Sequence, residues 1–328
     1  MAIFTGTTKQ LGGGEKDKLK QQFFYGLVQK NVLVTGAHGQ LGSELKKLSE
    51  QVSLPFRFFF TDADSLDITD IDQVDAFVTH HAVLYIINCA GYTAVDKAET
   101  EPEKVFAVNA TAVENLALVA RERGVKLIHV STDFVFDGNA RVPYREEDVV
   151  RPLSVYGKSK AEGEKLLREV GGDWIILRTS WLYSKFANNF VKTMIRLMNE
   201  RESLAVVNDQ RGTPTYAADL AEMIVHILQT AEDQQEWKTG IYHFSNRGET
   251  TWFDFAREIQ RVAGVEGCEL LPVSTEAYGA PASRPAYSVM DLSKKQSAFQ
   301  VEIPAWEEAL RRCMRQLKIC HSGRRTEN

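Results

Sequence analysis

Residues 31–50 read NVLVTGAHGQLGSELKKLSE, an apolar strand followed by a glycine-rich turn and a helix. Gly36, Gly39 and Gly42 have the spacing GxxGxxG between the strand and the helix. In such a unit the first glycine permits a tight turn, the second lets the backbone approach a pyrophosphate, and the third lets helix and strand pack closely. A plain tight turn is the competing interpretation, but the position between strand and helix favours a dinucleotide-binding site.

Apolar runs alternate with amphipathic segments from this strand to about residue 181. The later runs are FRFFFTD at 56–62, VLYIIN at 83–88, VKLIHV at 125–130 and DWIILRTSWLYS at 173–184. Alternating strands and helices predict a parallel sheet with right-handed crossovers. The predicted fold class is therefore α/β, a doubly wound, Rossmann-like parallel sheet with a smaller C-terminal substrate-binding domain.

The chain divides into four parts on this interpretation. They are an N-terminal extension at 1–30, expected to be mobile; an NAD(P)-binding domain at 31–181 with returning segments within about 213–243; a substrate-binding domain at 182–212 and 244–318; and a tail at 319–328. The extension contains a triple glycine and many lysines, and it lacks the continuous apolar core of a signal peptide.

A second pattern, STDFVFDG at 131–138 and YGKSK at 156–160, brings hydrogen-bonding side chains to a strand end and a helix start. Ligands of open α/β sheets bind at the carboxyl ends of strands, where Thr132 follows an apolar run. Tyr156 and Lys160, four residues apart, lie on one face of the predicted helix. We expect the Lys160 ammonium to lower the pKa of Tyr156 from about 10. Thr132, Tyr156 and Lys160 together would then protonate an alkoxide as hydride reaches a carbonyl.

Two features of this region admit other interpretations. A tyrosine and a lysine four residues apart also occur by chance, usually as a solvated pair. The polar strand end and the glycine-rich turn favour the catalytic interpretation, because they are independent signals of one site. Asn109, inside a long predicted helix, is expected either to be exposed with local hydrogen bonds or to support the active-site backbone, and both remain open.

The residues expected to bind the ends of the dinucleotide follow the second and third strands. Asp62 ends the second strand about 20 residues past the glycines, where an acid commonly binds the adenosine ribose hydroxyls. It would favour NADH, because a carboxylate repels a 2′-phosphate, although Asp64 and Asp67 compete for the role. Asp67 and Ile68 are expected to flank the adenine, and the loop AGYT at 90–93 to lie along the nicotinamide half.

The composition limits the class of protein and its partners. The 328 residues carry a formal net charge of −5 at pH 7 without interleaved basic and aromatic residues, so no nucleic-acid partner is expected. No apolar run approaches the roughly 20 residues of a membrane span, so no membrane partner is expected. The four cysteines lack metal or redox spacing and suit a reducing compartment, which predicts a cytoplasmic protein without a metal site.

With these residues in view, the chain resembles the extended short-chain dehydrogenase/reductase family. The resemblance covers residues from about 31 to 317 and rests on the strings VTGAHGQLG, CAGYTAVDKAE, STDFVFDG, VYGKSKAEGE, RTSWLYS, NNFVKTM, NDQRGTPT and SRPAYSVMDLSK. Within the family, the chain is most similar to enzymes that reduce the 4-keto group of a dTDP-linked 6-deoxy sugar. The resemblance implies an oxidoreductase of nucleotide-sugar synthesis whose partner is a small nucleotide-sugar substrate.

The resemblance also implies contacts along the whole cofactor. Gly39, Gln40 and Leu41 would contact the pyrophosphate. The adenosine end would contact Asp62, Asp67 and Ile68, and the nicotinamide side would contact Gly91, Tyr92 and Thr93. Tyr156 would be the proton donor, and Lys160 would also bond the nicotinamide ribose. Family members use NADPH, NADH or both, so the expected cofactor is NADPH or NADH and Asp62 alone does not decide between them.

For the substrate, the resemblance implies contacts from both halves of the chain. The sugar contacts fall on Thr132, Asp133, Val95 and Trp181. Arg284 would hold the nucleotide portion, since a guanidinium suits the two oxygens of a phosphate. Some members form a Mg²⁺-linked dimer, and Glu44 resembles one of its ligands. The resemblance thus implies a homodimer, but no metal is predicted, because a full set of ligands is not found in the sequence.

Two other functions remain open at this stage. An epimerase or dehydratase on the same scaffold would retain and recycle NAD⁺, and a dehydratase of this type is expected to have Glu where Phe134 follows Asp133. The other is a non-catalytic regulatory subunit resembling the methionine adenosyltransferase β subunit, which also has a Tyr-x-x-x-Lys pattern. The strings TAVDKAE and RTSWLYS fit the reductase better.

Overall fold

The computed structural model describes residues 29–322, with side chains described as far as Leu317. Most of the predicted extension at 1–30 and the last six residues of the predicted tail, 323–328, lie outside the described residues. Within the described range, every helix is too short or too polar to cross a membrane. The same range contains no group of His, Cys, Asp or Glu side chains that could hold a metal ion.

The strands are short and rich in β-branched and aromatic residues, as buried strands usually are. In chain order they are β1 (Lys30–Thr35), β2 (Phe56–Thr61), β3 (Val83–Asn88), β4 (Lys126–Thr132), β5 (Trp174–Thr179), β6 (Leu182–Tyr183), β7 (Ser203–Val207), β8 (Arg211–Gly212), β9 (Thr215–Tyr216), β10 (Gly240–His243), β11 (Thr250–Thr251) and β12 (Glu269–Val273). Thr132 is therefore the last residue of β4, two positions beyond the predicted run at 125–130.

Helices follow most of these strands. They are α1 (Gln40–Gln51), α2 (Ile71–His80), α3 (Val95–Ala98), α4 (Pro102–Phe106), α5 (Ala112–Arg123), α6 (Val155–Val170), α7 (Phe190–Glu200), α8 (Ala217–Gln234), α9 (Trp252–Ala263), α10 (Thr275–Tyr278), α11 (Ser293–Phe299) and α12 (Trp306–Ser322). A π-helical turn, Ala107–Thr111, joins α4 to α5, and a 3-10 turn, Asp133–Val135, follows β4.

Six parallel strands form the central sheet in the order β10-β5-β4-β3-β1-β2. The chain runs from β1 to β2 on one side and then returns to place β3 on the other side of β1. This reversal opens a crevice at the carboxyl ends of β1 and β3, where doubly wound sheets bind ligands. The predicted α/β class with a doubly wound, Rossmann-like parallel sheet is confirmed.

Two apolar cores cover the two faces of the sheet. Because side chains alternate along a strand, Val32 and Val34 pack on one face with α1 and α8, whereas Leu33 packs on the other with α2, α5 and α6. Helices on both faces bury most residues of the strands, as is usual for a parallel sheet. The carboxyl ends of the strands remain as the place where polar side chains can meet a ligand.

A third core lies in the C-terminal half of the chain. It is built from β6, β7, β9, α7, α9 and α12, and its aromatic members include Tyr183, Tyr216 and Phe255. Before this core is complete, the chain returns to the main sheet: α8 packs in the core beside α1, and β10 pairs with β5. At the C-terminus α12 continues to Ser322, four residues into the predicted tail at 319–328.

Candidate active site

The glycine-rich turn lies at the crevice between β1 and β3. Gly36 has a φ of +68°, which favours glycine, and a Cβ there would lie 2.6 Å from the backbone nitrogen of Ala90. A Cβ on Gly42 would lie 2.4 Å from the Gly36 oxygen, so helix and turn approach closely only with glycine. Gly39 precedes α1, whose first turn has no side-chain cap. This arrangement suits a pyrophosphate, which backbone N–H groups at a helix start can bind.

Asp62 reaches the same turn from the end of β2. Its Oδ2 accepts a hydrogen bond from the backbone N–H of His38 at 2.8 Å. Asp67 closes its own turn, since its Oδ1 accepts hydrogen bonds from the backbone N–H and the hydroxyl of Thr69. Ile68 is buried and packs in the core beside α2 and α5. Of the three residues predicted at the adenosine end, Asp62 is thus the one that contacts the glycine-rich turn.

Thr132 and Tyr156 meet at the carboxyl end of β4. Tyr156 lies in the first turn of α6, where the N-cap Ser154 accepts a hydrogen bond from the Gly157 N–H at 3.1 Å. The side chains of Thr132 and Tyr156 are both buried. A Cβ on Gly157 would lie 2.3 Å from the oxygen of Phe134, so glycine lets α6 press against the turn that follows β4. The fold therefore fixes the phenol and the threonine hydroxyl in one buried place.

The pKa of Tyr156 differs from the expectation. Burial raises this pKa to about 12; contact with Thr132 lowers it, and the neighbouring Asp133 carboxylate raises it. Lys160 is not among the groups that shift this pKa, and its Nζ donates a hydrogen bond to the Val130 oxygen at 2.7 Å. The prediction that Lys160 lowers the pKa of Tyr156 is therefore wrong for the protein alone. The phenol remains protonated at neutral pH, as a proton donor requires.

Lys160 lies one helical turn beyond Tyr156 and is buried. Its Nζ donates to the Val130 oxygen and lies 3.3 Å from His129 Nε2. Burial lowers the pKa of Lys160 to about 8. A Cβ on Gly91 would lie 4.0 Å from Nζ, so the loop predicted to line the nicotinamide passes next to this lysine.

Asn109 holds that loop in place from the π-helical turn Ala107–Thr111. Its Oδ1 accepts a hydrogen bond from the Tyr92 N–H at 2.8 Å, and its Nδ2 donates to the Tyr92 oxygen at 3.1 Å. The same Nδ2 lies 3.0 Å from the Ser159 hydroxyl of α6. Asn109 is fully buried, so of the two open interpretations the structure supports the one in which it braces the active-site backbone. Thr93, one residue further along the loop, is exposed.

Asp133 brings a carboxylate to the same region. Its Oδ2 is buried and has no hydrogen-bond partner among residues 29–317. Burial raises the pKa of Asp133 to about 6, although hydrogen bonds from Ser288 and Thr132 lower it. Val95 packs against Tyr156 in a small apolar cluster. A buried carboxylate oxygen without a partner suits a hydroxyl of a bound sugar.

Trp181, predicted to contact the sugar, lies two residues beyond the end of β5. It has a φ of +45°, and its ring stacks on Trp252 with 3.6 Å between the ring centroids. Phe190 packs against Trp252 at 4.6 Å between centroids. A Cβ on Gly212 would lie 2.6 Å from the Trp181 ring, so only glycine there admits the ring in this position.

Known proteins match nearly the whole described chain. The family model described as RmlD substrate binding domain matches residues 30–319. The dTDP-4-dehydrorhamnose reductase of Aggregatibacter actinomycetemcomitans is 42% identical over 285 residues, which is 85% of this chain and 97% of that protein. The chain belongs to the dTDP-4-dehydrorhamnose reductase family.

Further members of this reductase family agree in sequence and in structure. The dTDP-4-dehydrorhamnose reductase of Escherichia coli (strain K12) is 41% identical over 293 residues, covering 88% of this chain and 98% of that protein. The crystal structure of the Bacillus anthracis (str. Ames) reductase in complex with NADP is 41% identical, with a TM-score of 0.82, and covers 88% of this chain and 100% of that one. The resemblance inferred from the sequence strings is confirmed.

The present structure also brings to this region side chains that the sequence did not indicate as site residues. His129 is, with Lys126, one of two polar residues in the run VKLIHV, and its place among apolar neighbours was the available signal for it. Asp96 lies in the string CAGYTAVDKAE and forms a bidentate ion pair with Arg284, the residue predicted to hold the nucleotide. Trp252 carried no signal, because its stacking on Trp181 joins segments about 70 positions apart. The functional roles of the residues predicted from the sequence, Trp181 and Arg284 among them, stay predictions.

Proposed function

We propose that this chain reduces dTDP-4-dehydro-6-deoxy-L-mannose (dTDP-4-dehydrorhamnose) to dTDP-L-rhamnose with hydride from NADPH or NADH. The observation that carries the proposal is the buried contact between Tyr156 and Thr132 at the carboxyl end of β4, one helical turn from Lys160. The relatives named above are dTDP-4-dehydrorhamnose reductases, and one of their structures contains NADP.

In this proposal the bound nicotinamide supplies the hydride, and the protein supplies the proton. Tyr156 gives its phenolic proton to the sugar oxygen at C4 as negative charge develops there. Its pKa of about 12 keeps the phenol protonated until that moment. Thr132 holds the same oxygen through its hydroxyl, and burial of both groups strengthens these hydrogen bonds. Once the cofactor is bound, Lys160 steadies the phenolate that remains; in the protein alone its Nζ donates to the Val130 oxygen instead.

The predicted contacts belong to the same proposal. The cofactor contacts are Gly36, Gly39, Gln40, Leu41, Gly42, Asp62, Asp67, Ile68, Gly91, Tyr92, Thr93, Tyr156 and Lys160. The substrate contacts are Thr132, Asp133, Val95, Trp181 and Arg284. The carboxylate of Asp62 beside the turn favours NADH, whereas the relative with bound NADP favours NADPH. The ratio of kcat/KM for the two cofactors decides between them.

The division of labour along the chain is also proposed. Residues 31–181, with returning segments within 213–243, bind the cofactor, and residues 182–212 and 244–318 bind the sugar nucleotide. The return of β10 to the main sheet and the separate C-terminal core support this division. A cytoplasmic location and a homodimeric state stay predictions, which cell fractionation and analytical ultracentrifugation test.

A coupled assay tests the proposed reaction. The purified full chain is mixed with NADPH or NADH and with dTDP-4-dehydro-6-deoxy-L-mannose made in situ, and the absorbance of the reduced nicotinamide is followed. The proposal expects cofactor oxidation that requires the sugar nucleotide, with dTDP-L-rhamnose as the product. No oxidation by a folded protein that binds the cofactor would refute it.

Two outcomes of that assay point to the alternative functions. An epimerase or dehydratase would purify with retained NAD⁺ and convert the sugar without net cofactor oxidation. A regulatory subunit would show no turnover and would purify with a synthetase partner. In each case the spectrum of the purified protein and the composition of the sample separate the alternative from the reductase.

A further inference from the structure

The buried side chains behind Lys160 form a short chain of hydrogen bonds that the proposed reaction does not yet use. Asn88 ends β3, His129 lies in β4, and both are completely buried. Asn88 Nδ2 lies 3.0 Å from His129 Nδ1, and His129 Nε2 lies 3.3 Å from Lys160 Nζ. The order of donors and acceptors along this chain follows from its fixed end.

Two neighbours fix the orientation of the Asn88 amide. Its Oδ1 lies 3.1 Å from the backbone N–H of Ala90, which can only donate a hydrogen bond. The same oxygen accepts from the Thr35 hydroxyl at 2.7 Å. The oxygen of Asn88 must therefore face Ala90, and the NH₂ group must face His129.

The orientation of Asn88 determines the tautomer of His129. An amide NH₂ can only donate, so Nδ1 of His129 has to accept. Burial lowers the pKa of His129 well below its usual value, and the ring is neutral at physiological pH. A neutral imidazole that accepts at Nδ1 carries its proton on Nε2. That N–H points to Lys160.

A proton on Nε2 changes what Lys160 can do. An ammonium has three donors and no acceptor, so a protonated Lys160 would set one donor against another across 3.3 Å. A neutral amine accepts from Nε2 and still donates to the Val130 oxygen, at 2.7 Å. The pair of Asn88 and His129 thus favours the neutral amine.

The other charged or titratable groups around Lys160 do not reverse this preference. Glu164, one turn further along α6, favours the ammonium, but its carboxylate is paired with Arg178 Nη2 at 2.7 Å and with Ser131. Burial raises the pKa of the Cys89 thiol, which stays neutral. The phenol of Tyr156 also stays neutral until it gives up its proton.

We propose that His129 is a positioning residue that, held in one tautomer by Asn88, weakens the binding of the third proton to Lys160 and sets the pH above which the reductase loses its ammonium. The proposal rests on the proposed function for its consequence in catalysis. The pKa of Lys160, lowered to about 8, agrees with it. The kcat of the reductase should therefore fall as the pH rises through the value at which Lys160 loses its proton.

The test uses nuclear magnetic resonance on the full chain, so that it does not depend on turnover. ¹⁵N-labelled histidine reports the tautomer of His129, and ¹³C-labelled lysine reports the titration of Lys160, whose signal is identified by its loss in Lys160→Arg. We expect a proton on Nε2 in the wild type. Asn88→Asp keeps the shape of the side chain but can only accept, so it should move the proton to Nδ1 and raise the Lys160 midpoint by roughly one pH unit or more.

A double-mutant cycle separates this effect from simple charge attraction. With His129→Phe in the background, Asn88→Asp should change the Lys160 midpoint by much less than in the wild type. An equal change with and without His129 would overturn the proposal, as would a wild-type His129 with its proton on Nδ1. The wild-type tautomer decides the matter even if a variant does not fold. A protein that shows the expected titrations but does not reduce the sugar would refute the proposed function and leave this inference intact.

Discussion

Arg284 donates two parallel hydrogen bonds to Asp96, from Nη1 to Oδ1 at 2.9 Å and from Nη2 to Oδ2 at 2.8 Å. Asp96 also accepts from the backbone N–H of Ala282, and its pKa is lowered chiefly by the hydrogen bonds from Arg284. The pair joins α3 to the segment around Arg284. The same segment packs closely against Gly138, where a Cβ would lie 2.6 Å from the Ala286 nitrogen. The guanidinium proposed to bind the substrate phosphates is thus already paired with a carboxylate.

This ion pair predicts that removing Arg284 and removing Asp96 have different effects on the KM for the sugar nucleotide. Arg284→Ala should raise the KM for the sugar nucleotide by about tenfold to a hundredfold, because a charge-assisted hydrogen bond contributes roughly 1.5–3 kcal/mol. Asp96→Ala removes the competitor of the phosphate and should leave the KM equal or lower. Steady-state kinetics with varied substrate measure both. Equal increases in KM for the two variants would show that the pair is only a structural link.

The close approach of Gly42 to Gly36 predicts a local requirement for glycine. Gly42→Ala would place a methyl group 2.4 Å from the Gly36 oxygen, so the turn must shift. We expect a loss of about 1–3 kcal/mol in the free energy of unfolding and weaker binding of NADPH, because overpacking strains the backbone. Gly124→Ala is the control for NADPH binding: its φ of +65° makes alanine strained there too, but Gly124 lies outside the turn and a Cβ there meets no atom within 4 Å. Weakened NADPH binding in both variants would contradict the assignment of the turn.

The three hydrogen bonds of Asn109 predict that it stabilises the loop at Tyr92. Asn109→Ala leaves the partly buried N–H and oxygen of Tyr92 without their Asn109 partner, at up to about 1–3 kcal/mol for each unpaired group. Urea denaturation measures the loss. Asn115→Ala, on the same continuous helix, is the control, because its amide donates to the exposed Thr69 oxygen at 2.9 Å and over a longer distance, 3.3 Å, to the Ile68 oxygen. Equal losses in the two variants would argue against a special role for Asn109.

The lowered pKa of Lys160 predicts a pH-dependent contribution to stability. Its pKa is about 8 in the fold and about 10.4 in an unfolded chain. Between these values the unfolded state binds more protons, so this lysine makes the free energy of unfolding rise with pH, by at most about 1.4 kcal/mol per unit. The Cys89 and Cys313 thiols, whose pKa values are raised by removal from solvent, act in the opposite sense.

The contribution of Lys160 is therefore read as a difference between proteins. The free energy of unfolding of Lys160→Met should exceed that of the wild type most at pH 8 and below. This gain should shrink as the pH rises towards 10. Urea denaturation at several pH values gives both free energies. Lys295→Met should behave alike, since burial also lowers the pKa of Lys295 to about 8. A gain that does not depend on pH would contradict the lowered pKa.

The sequence allowed the central sheet to be predicted, because the required signals are local. Strand β3 matches the predicted run at 83–88, since apolar periodicity and flanking glycine act within a few residues. The glycine-rich turn was equally local. The pKa of Tyr156 was predicted in the wrong direction, because it depends on how deeply the side chain is buried and on where the fold directs Lys160 Nζ.

Contacts between distant segments also escaped the sequence analysis. Asp96 and Arg284 are 188 residues apart, and neither position alone indicates a partner. The role of Asn109 stayed open because it depends on a π-helical turn, which has no sequence signal of its own. Tertiary placement, rather than residue type, thus determines which polar groups meet.

The comparison of Tyr156→Phe with the wild type tests the proposed chemistry most directly. Single-turnover hydride transfer from NADPH to dTDP-4-dehydro-6-deoxy-L-mannose would be measured at saturating concentrations of both. The variant should transfer hydride about 10²–10⁴ times more slowly, because the proton donor is gone, while NADPH binds with nearly unchanged affinity. Hydride transfer by Tyr156→Phe at the wild-type rate would contradict the account.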